Sequence, residues 1–327
     1  MGILSSLFSF GKKEDSQENK QKSEQKNFDI LKYDGVRALQ IRQVKYAIRC
    51  FREALNIRKD TETMNLLISA YHTAQDTESA LEVANELVEL EPENTGALLT
   101  RINFLFLEQR EAEAIADCNR LIALDEDNIP AWFLRAKAKK STNDLPGAEA
   151  DVTQAINLNK DFLDGYLLRA ELHLLMKQGR EALEDVNIVI DSTDESGEEN
   201  AHLLRARIYE LLGDEEAASE EYRKVMELNP FNEDAYLLAA QLMIGRRKYA
   251  EAMVLYDEAI EHNEQFAKAY TGRGKLKELM GDEEGARRDM VIANELNPDD
   301  ESDRQTKTDE GGNAFSPPTS LFGGNSL

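Results

Sequence analysis

An alanine recurs along the chain with a spacing that is nearly constant over eight copies. Five of the seven gaps between successive copies are 34 residues long, the first gap is 33 and the fifth is 36. The copies are Ala47, Ala80, Ala114, Ala148, Ala182, Ala218, Ala252 and Ala286. A period of this length is typical of arrays whose units stack on their neighbours. We therefore expect a repeat protein without a single globular core.

Aligning the copies gives a repeating unit with fixed residue types at several positions. With the alanine at position 20, the units are residues 28–60, 61–94, 95–128, 129–162, 163–198, 199–232, 233–266 and 267–300. Position 4 holds a large residue: Leu31, Met64, Leu98, Trp132, Tyr166, His202, Tyr236 and Tyr270. Position 32 is proline in three units: Pro92, Pro230 and Pro298. Proline there ends a helix, because it cannot continue one.

Each unit has the apolar spacing of two helices. In the last unit the second helix carries its apolar stripe at Ala286, Met290, Ala293 and Leu296. Between the helices, an aspartate at position 16 predicts an N-cap for the second helix. These aspartates are Asp76, Asp144, Asp214 and Asp282, and glycine precedes the last two.

The pattern resembles the tetratricopeptide repeat family over about residues 28–300. The resemblance rests on the large residue at position 4, the small residues at positions 8 and 20, and the proline at position 32. Ile68 and Ile102 depart from it at position 8. The resemblance implies an all-α fold, a right-handed superhelical α-solenoid of about eight helix-turn-helix units. Residues 1–27 and 301–327 are expected to be disordered tails, the first with a short apolar start, and residues 191–197 a longer surface loop.

Comparing the eight copies with one another predicts a structural contact. Position 7 is arginine in the same five units in which position 23 is acidic. The pairs are Arg101 with Asp117, Arg135 with Asp151, Arg169 with Asp185, Arg205 with Glu221 and Arg273 with Asp289. In the second and seventh units both positions are apolar, Leu67 with Val83 and Ala239 with Leu255. We expect an arginine–carboxylate pair between the two helices of each of the five units, with a structural role.

The sequence offers no set of residues for catalysis or for a cofactor. The four histidines lack metal-ligand spacing, no glycine-rich phosphate loop is present, and neither Cys50 nor Cys118 has a nearby cysteine. The formal net charge of −24 argues against nucleic-acid binding, which needs clustered basic residues. We expect an acidic, non-enzymatic protein without cofactor or metal, located in the cytoplasm.

The resemblance implies a binding surface on the first helix of each unit, where family positions 2, 5, 9 and 12 face a concave groove. Position 5 is apolar in five consecutive units: Leu99, Phe133, Leu167, Leu203 and Leu237. Position 12 adds Phe106, Leu174 and Ile244, and position 9 holds Asn103, Lys137, Glu171, Arg207 and Gln241. Such a stripe suits a peptide with hydrophobic anchors, so a scaffold or adaptor for a protein partner is expected. The same leucines could instead serve only to pack helices together.

Two other functions compete with this interpretation. A chaperone clamp of this family needs lysine at position 5 and asparagine at position 9 of one unit; the first unit has Lys32 but Val36, which argues against a co-chaperone. The other alternative is a peripheral membrane assembly factor. Its anchor, within residues 1–13, would be a short amphipathic segment followed by Lys12 and Lys13, with apolar residues Ile3, Leu4, Leu7, Phe8 and Phe10. The competing interpretation of this segment is disorder. Partner identity and oligomeric state are left open.

Overall fold

The structure is a computed structural model that describes the backbone of residues 4–192 and 199–297 and the side chains of residues 19–192 and 199–297. The chain divides into two compact units, Met1–Leu212 and Gly213–Leu327. The division falls between the two helices of the sixth sequence repeat. Four sequence predictions lie outside the described residues: the disordered tail 301–327, the helix end at Pro298, most of the loop at 191–197, and the side chains of the apolar start.

In its described part, the first unit consists of eleven α-helices. They are α1 (Leu4–Gln40), α2 (Val44–Ile57), α3 (Thr61–Thr73), α4 (Thr77–Leu90), α5 (Thr95–Leu107), α6 (Glu111–Leu124), α7 (Ile129–Ser141), α8 (Leu145–Leu158), α9 (Leu163–Leu175), α10 (Gly179–Ser192) and α11 (Glu199–Leu212).

The second unit continues the pattern with five helices in its described residues. They are α12 (Glu215–Leu228), α13 (Glu233–Gly245), α14 (Tyr249–His262), α15 (Ala267–Leu279) and α16 (Glu283–Leu296). Within each unit every helix packs against the next along the chain. The all-α array of helix pairs expected from the repeat is thereby confirmed. None of the described helices is both long and apolar enough to cross a lipid bilayer.

Small and aliphatic residues at two repeat positions bring the helices of a pair together. The alanines at position 20 are at most 7% exposed, and those from Ala47 to Ala252 are fully buried. Position 27, which holds Ala, Leu or Val, is at most 5% exposed. Ile68 and Ile102, which depart from the family pattern at position 8, are also buried in the core of the first unit. The larger side chains are therefore accommodated inside the array.

The turn between the two helices of a pair has the same backbone conformation in all eight repeats. Position 15 has a positive φ, between 55° and 87°. Only Gly213 and Gly281 are glycines there, and the other six residues adopt the left-handed conformation despite their Cβ atoms. The aspartate that follows caps the second helix in four repeats; Asp144, for example, accepts a hydrogen bond from the backbone N–H of Gly147. The predicted N-caps are confirmed.

Helix α1 begins long before the first sequence repeat. Residues 1–27 were expected to be disordered, whereas the structure has helix from Leu4 onward. The segment is rich in Lys, Glu and Gln, which are good helix formers, and it contains no proline. Near its junction with the repeat, Gln25 accepts a hydrogen bond from Arg58 (2.7 Å) and Phe28 is buried beneath that arginine. This helix propensity accounts for the extension of α1 ahead of the first repeat.

Candidate functional site

Within each unit, first helices of neighbouring pairs lie next to each other. The first helices of neighbouring pairs touch each other at α1 with α3 and α9 with α11 in the first unit, and at α13 with α15 in the second. This is the side on which the sequence places the candidate groove residues. In the first unit these residues lie on α5, α7, α9 and α11, and in the second unit on α13.

The apolar candidates at positions 5 and 12 are mostly half-buried. Leu99 and Phe106 pack against a core cluster that runs from Ala38 to Ala131. Leu167 and Leu174 pack against a second cluster, which runs from Ala136 to Ile208. Leu203 is only 7% exposed and therefore offers almost no surface to a partner. In the second unit, Leu237 and Ile244 are half-buried against the core with Gln241 between them. These side chains pack the helices and expose only part of their surface.

Phe133 is the aromatic member of this row. Its ring meets the ring of Phe162 edge-on, with centroids 5.1 Å apart. The ammonium of Lys137 lies 5.8 Å from the Phe133 centroid, and the lysine side chain is exposed. This ammonium makes no ion pair within the described part of the chain, so it is available to a carboxylate.

The polar candidates differ in how strongly they are engaged. Glu171 is held by Lys140 of the preceding pair at 2.6 Å, an ion pair that bridges α7 and α9. Arg207 on α11 is half-buried, whereas Asn103 on α5 is exposed. Asn103 and Lys137 are thus the polar candidates that project most freely from the first-helix side.

Sequence reasoning missed four exposed leucines on this side. They occupy position 13, one helical turn after position 9 and on the same face. In the first unit these are Leu107, Leu175 and Leu211, which are 52%, 53% and 39% exposed. In the second unit Leu279 is 61% exposed. The signal was present in the repeat, because leucine occurs at position 13 in four of the eight copies.

Position 7 arginines form forked ion pairs with position 23 carboxylates. In Arg135, Arg169 and Arg273 both Nε and Nη2 donate to the two carboxylate oxygens of the aspartate on the next helix, at 2.7–2.9 Å. Arg101 makes the same fork to Asp117. The aspartates are 2–4% exposed. The fifth pair, Arg205 with Glu221, has one member in each unit and stays a prediction.

The five position 7 arginines also reach the preceding repeat, a contact that sequence reasoning missed. The remaining amino group of the arginine, Nη1, donates to the side chain at position 25 of the preceding second helix. The acceptors are Asn85, Asn119, Thr153, Asn187 and Asp257, at 2.6–3.5 Å. In the four repeats with a fork, one guanidinium therefore connects the second helices of two successive repeats.

The residue type at position 25 correlates with the residue type at position 7 of the following repeat. It is a hydrogen-bond acceptor before each of the five arginines. Where the next position 7 is apolar, at Leu67 and Ala239, position 25 is itself an arginine, Arg52 or Arg223. An arginine there would repel an arginine at position 7, so the two positions vary together for an electrostatic reason.

A second cation and an aromatic ring accompany several forks. Lys139 and Lys277, at position 11, lie 2.7 and 2.8 Å from the aspartates of their own repeats. Burial alone would raise the pKa of Asp289, but hydrogen bonds from Arg273 and Lys277 outweigh it and hold that pKa below the usual value. The Arg135 guanidinium stacks 4.6 Å from the Trp132 ring. These contacts hold Asp151 and Asp289 in structural ion pairs.

The remaining reactive groups do not form a site within the described ranges. Cys50 and Cys118 are buried and not bonded to each other. Burial raises the pKa of the Cys118 thiol to about 12, which keeps it protonated near neutral pH. No cluster of His, Cys, Asp or Glu side chains suited to a metal ion occurs among residues 19–192 and 199–297.

Comparisons with known proteins agree with the repeat and the fold. A family model described as a tetratricopeptide repeat matches residues 199–232. The structure of a tetratricopeptide repeat protein from Parabacteroides merdae superposes with a TM-score of 0.60 at 19% identity, over 74% of this chain and 94% of that one. No curated protein matches the sequence.

Two further solved structures are more distant. MamA matches with a TM-score of 0.43 at 17% identity, over 49% of this chain and 93% of its own. YrrB, described as a tetratricopeptide repeat protein with an unusual peptide-binding site, matches with a TM-score of 0.42 at 16% identity, over 56% of this chain and 93% of its own. The period of the sequence, the helix pairs built on it and the match of the family model to residues 199–232 agree in indicating a tetratricopeptide-repeat fold.

Proposed function

We propose that this protein is a non-catalytic scaffold or adaptor that binds a peptide-like segment of another protein on the first-helix side of its first unit. The fold is in general an interaction scaffold, because stacked helix pairs present an extended surface rather than an enclosed catalytic pocket. A peptide partner is the ligand class that such a surface fits.

The observation that carries the proposal is the pair of half-exposed leucines at position 13. Leu107 and Leu175 expose slightly more than half of their surface, although both lie beside apolar residues that pack inward. Between them along the chain, Phe133 and Lys137 add an aromatic face and a free ammonium. Apolar anchors with a neighbouring cation favour a partner segment that combines hydrophobic side chains with an acidic residue.

The test compares two double variants of the intact protein. Leu107→Glu with Leu175→Glu places charge on the proposed surface. The matched control is Leu90→Glu with Leu124→Glu, two leucines that are 50% and 44% exposed at the ends of second helices. Phe133 and Leu167 are less suitable, since both are half-buried and charge there would disturb the core.

Each variant is used as bait in a pull-down from native lysate, with circular dichroism to verify that helicity is retained. We expect a partner that binds the wild type and the control variant and is lost with Leu107→Glu/Leu175→Glu. Equal recovery by all three baits would refute the proposed surface. No observation on the described residues favours the membrane alternative, whose anchor lies at 1–13.

A further inference from the structure

The seventh repeat has a cavity where four other repeats have the arginine fork. The cavity measures about 290 Å³ and lies in the second unit between α12 and α14, with α13 as its floor. Its apolar lining is Met226, Ala239, Met243, Val254 and Leu255. Ala239 and Leu255 occupy positions 7 and 23, the positions of the arginine and its carboxylate elsewhere. The cavity thus occupies the space that a guanidinium fills in the other repeats.

The second repeat shows that loss of the fork does not by itself open a cavity. There, position 7 is Leu67, which is only 3% exposed and packs in the core with the half-buried Val83. In the seventh repeat, Ala239 is three carbon atoms shorter at the same position. The open space therefore results from one small residue, Ala239, and not from the exchange of charged for apolar residues.

Two charged side chains of opposite sign stand on the rim. Arg223 on α12 and Glu258 on α14 are exposed and border the cavity from its two walls. Neither makes a hydrogen bond or ion pair with any residue that the structure describes. Glu251, also on the rim, is engaged by Lys248 at 3.3 Å. The rim therefore offers one available cation and one available anion on opposite sides of an apolar space.

We propose that this cavity is a second docking site, which takes one large apolar side chain of a partner peptide between an acidic and a basic residue. A cavity of about 150 Å³ encloses a benzene molecule, so about 290 Å³ accommodates a leucine, methionine or phenylalanine side chain. The acidic residue of the peptide pairs with Arg223 and the basic residue with Glu258. Val254 lines the cavity and is 53% exposed, so it can contact the peptide beside the apolar side chain that enters the cavity.

A peptide fits this site better than a small apolar molecule. The cavity is open to solvent along the groove between two helices, and the charges lie outside the apolar part. An uncharged small molecule would leave both charges without partners, whereas three neighbouring residues of a peptide supply the anchor and both charges. The site lies on the second helices of the second unit and is independent of the first-helix surface proposed above.

The experiment uses a displayed library of random peptides selected against the full-length protein. Two variants remove the cavity. Ala239→Leu copies Leu67 of the second repeat, and the triple variant Arg223→Asn, Ala239→Arg, Leu255→Asp restores the fork of the other repeats. The Leu107→Glu/Leu175→Glu protein serves as a control in which the cavity is intact. Thermal unfolding verifies that every variant is folded.

We expect selected peptides that share one large apolar residue flanked by an acidic and a basic residue. Their affinity should fall about ten-fold to a hundred-fold on both cavity-free variants, the effect of burying one large apolar side chain, and should be unchanged on Leu107→Glu/Leu175→Glu. Selection against the charge-swapped protein, Arg223→Glu with Glu258→Arg, should return peptides with the two charged residues in reversed order.

Three results would overturn the proposal: no peptide enriched over the cavity-free variants, peptides that lack an apolar anchor, or an unchanged charge order after the swap. Peptides lost only on Leu107→Glu/Leu175→Glu would instead support the first-helix surface and leave the cavity without a role. The two proposals therefore fail separately.

Discussion

Replacing Arg169 by leucine should destabilise the fifth repeat because it strands a buried carboxylate. Arg169 donates two hydrogen bonds of 2.7 Å to Asp185, whose side chain is 5% exposed, and a longer one of 3.3 Å to Thr153. Without the arginine, the nearest cation is His173, with Nε2 3.7 Å from the carboxylate and charged only when protonated. Removing one partner of a buried pair costs about 3–5 kcal/mol. Since Arg169 is 20% exposed and water can reach the site, we expect about 3 kcal/mol.

The double variant separates the ion pair from the space it occupies. Arg169→Leu with Asp185→Val copies the apolar pair Leu67 and Val83 of the second repeat. An apolar pair leaves no charge without a partner, so the double variant should lie within about 1 kcal/mol of the wild type. As a control, Arg180→Leu changes an exposed arginine on the adjacent helix and should alter stability by less than about 0.5 kcal/mol.

Urea unfolding followed by circular dichroism measures these differences. Hydrogen exchange of α9 and α10 should accompany it, because repeat arrays do not always unfold in one step. The expected order of stability is wild type and Arg180→Leu, then the double variant, then Arg169→Leu. A single variant as stable as the double one would refute the argument that the buried carboxylate dominates the loss.

Three further predictions rest on single contacts. Gly35→Ala should lower the melting temperature by the equivalent of about 1–3 kcal/mol, since the new Cβ would lie 2.5 Å from the buried ring of Phe51; an unchanged melting temperature would contradict the packing. Cys118 should resist alkylation at neutral pH in the folded protein and react in urea, because burial raises its pKa to about 12. The pKa of Asp289 is lowered in the fold, where Arg273 donates to it, so its contribution to stability is present above about pH 4 and lost as the pH falls through the folded-state pKa. Asp289→Asn should therefore be less stable than the wild type at pH 7, and urea unfolding at about pH 3 should show that difference shrinking.

The sequence predicts the helix pairs well because their determinants are local and repeated. The alanine at position 20 has one physical role, close approach of two helices, and therefore one residue type. The pairing of positions 7 and 23 can be read from the sequence because, in the five units that have it, one side is always arginine and the other always acidic. Both features are read from residue identity alone.

The link to position 25 was harder to see because its residues share a function and not an identity. Asn85, Thr153 and Asp257 look unrelated as residue types, yet each presents an oxygen that accepts a hydrogen bond. A comparison based on hydrogen-bonding class would have found the pattern. Arg52 and Arg223, which precede the two apolar residues at position 7, support the same pattern because neither can accept a hydrogen bond.

The exposure of the candidate surface residues cannot be read from the sequence, because it depends on how neighbouring helices pack. Leu203 and Leu167 share position 5, but Leu203 is buried and Leu167 is half-exposed. Leu107 and Leu175 at position 13 have the same spacing as core residues of an amphipathic helix. Periodicity identifies the helix face, and only packing tells how much of each leucine remains open to a partner.

The connection between position 7 of one repeat and position 25 of the repeat before it restricts how such a gene can gain or lose units. Deleting the fourth repeat would join Asn119 to Arg169 and preserve a donor and an acceptor. Deleting the seventh would instead set Arg223 against Arg273, two like charges where Asp257 now accepts a hydrogen bond. A whole repeat can therefore be exchanged only when its position 7 matches position 25 of the repeat before it and its position 25 matches position 7 of the repeat after it. The order of the repeats is constrained as well as their sequences.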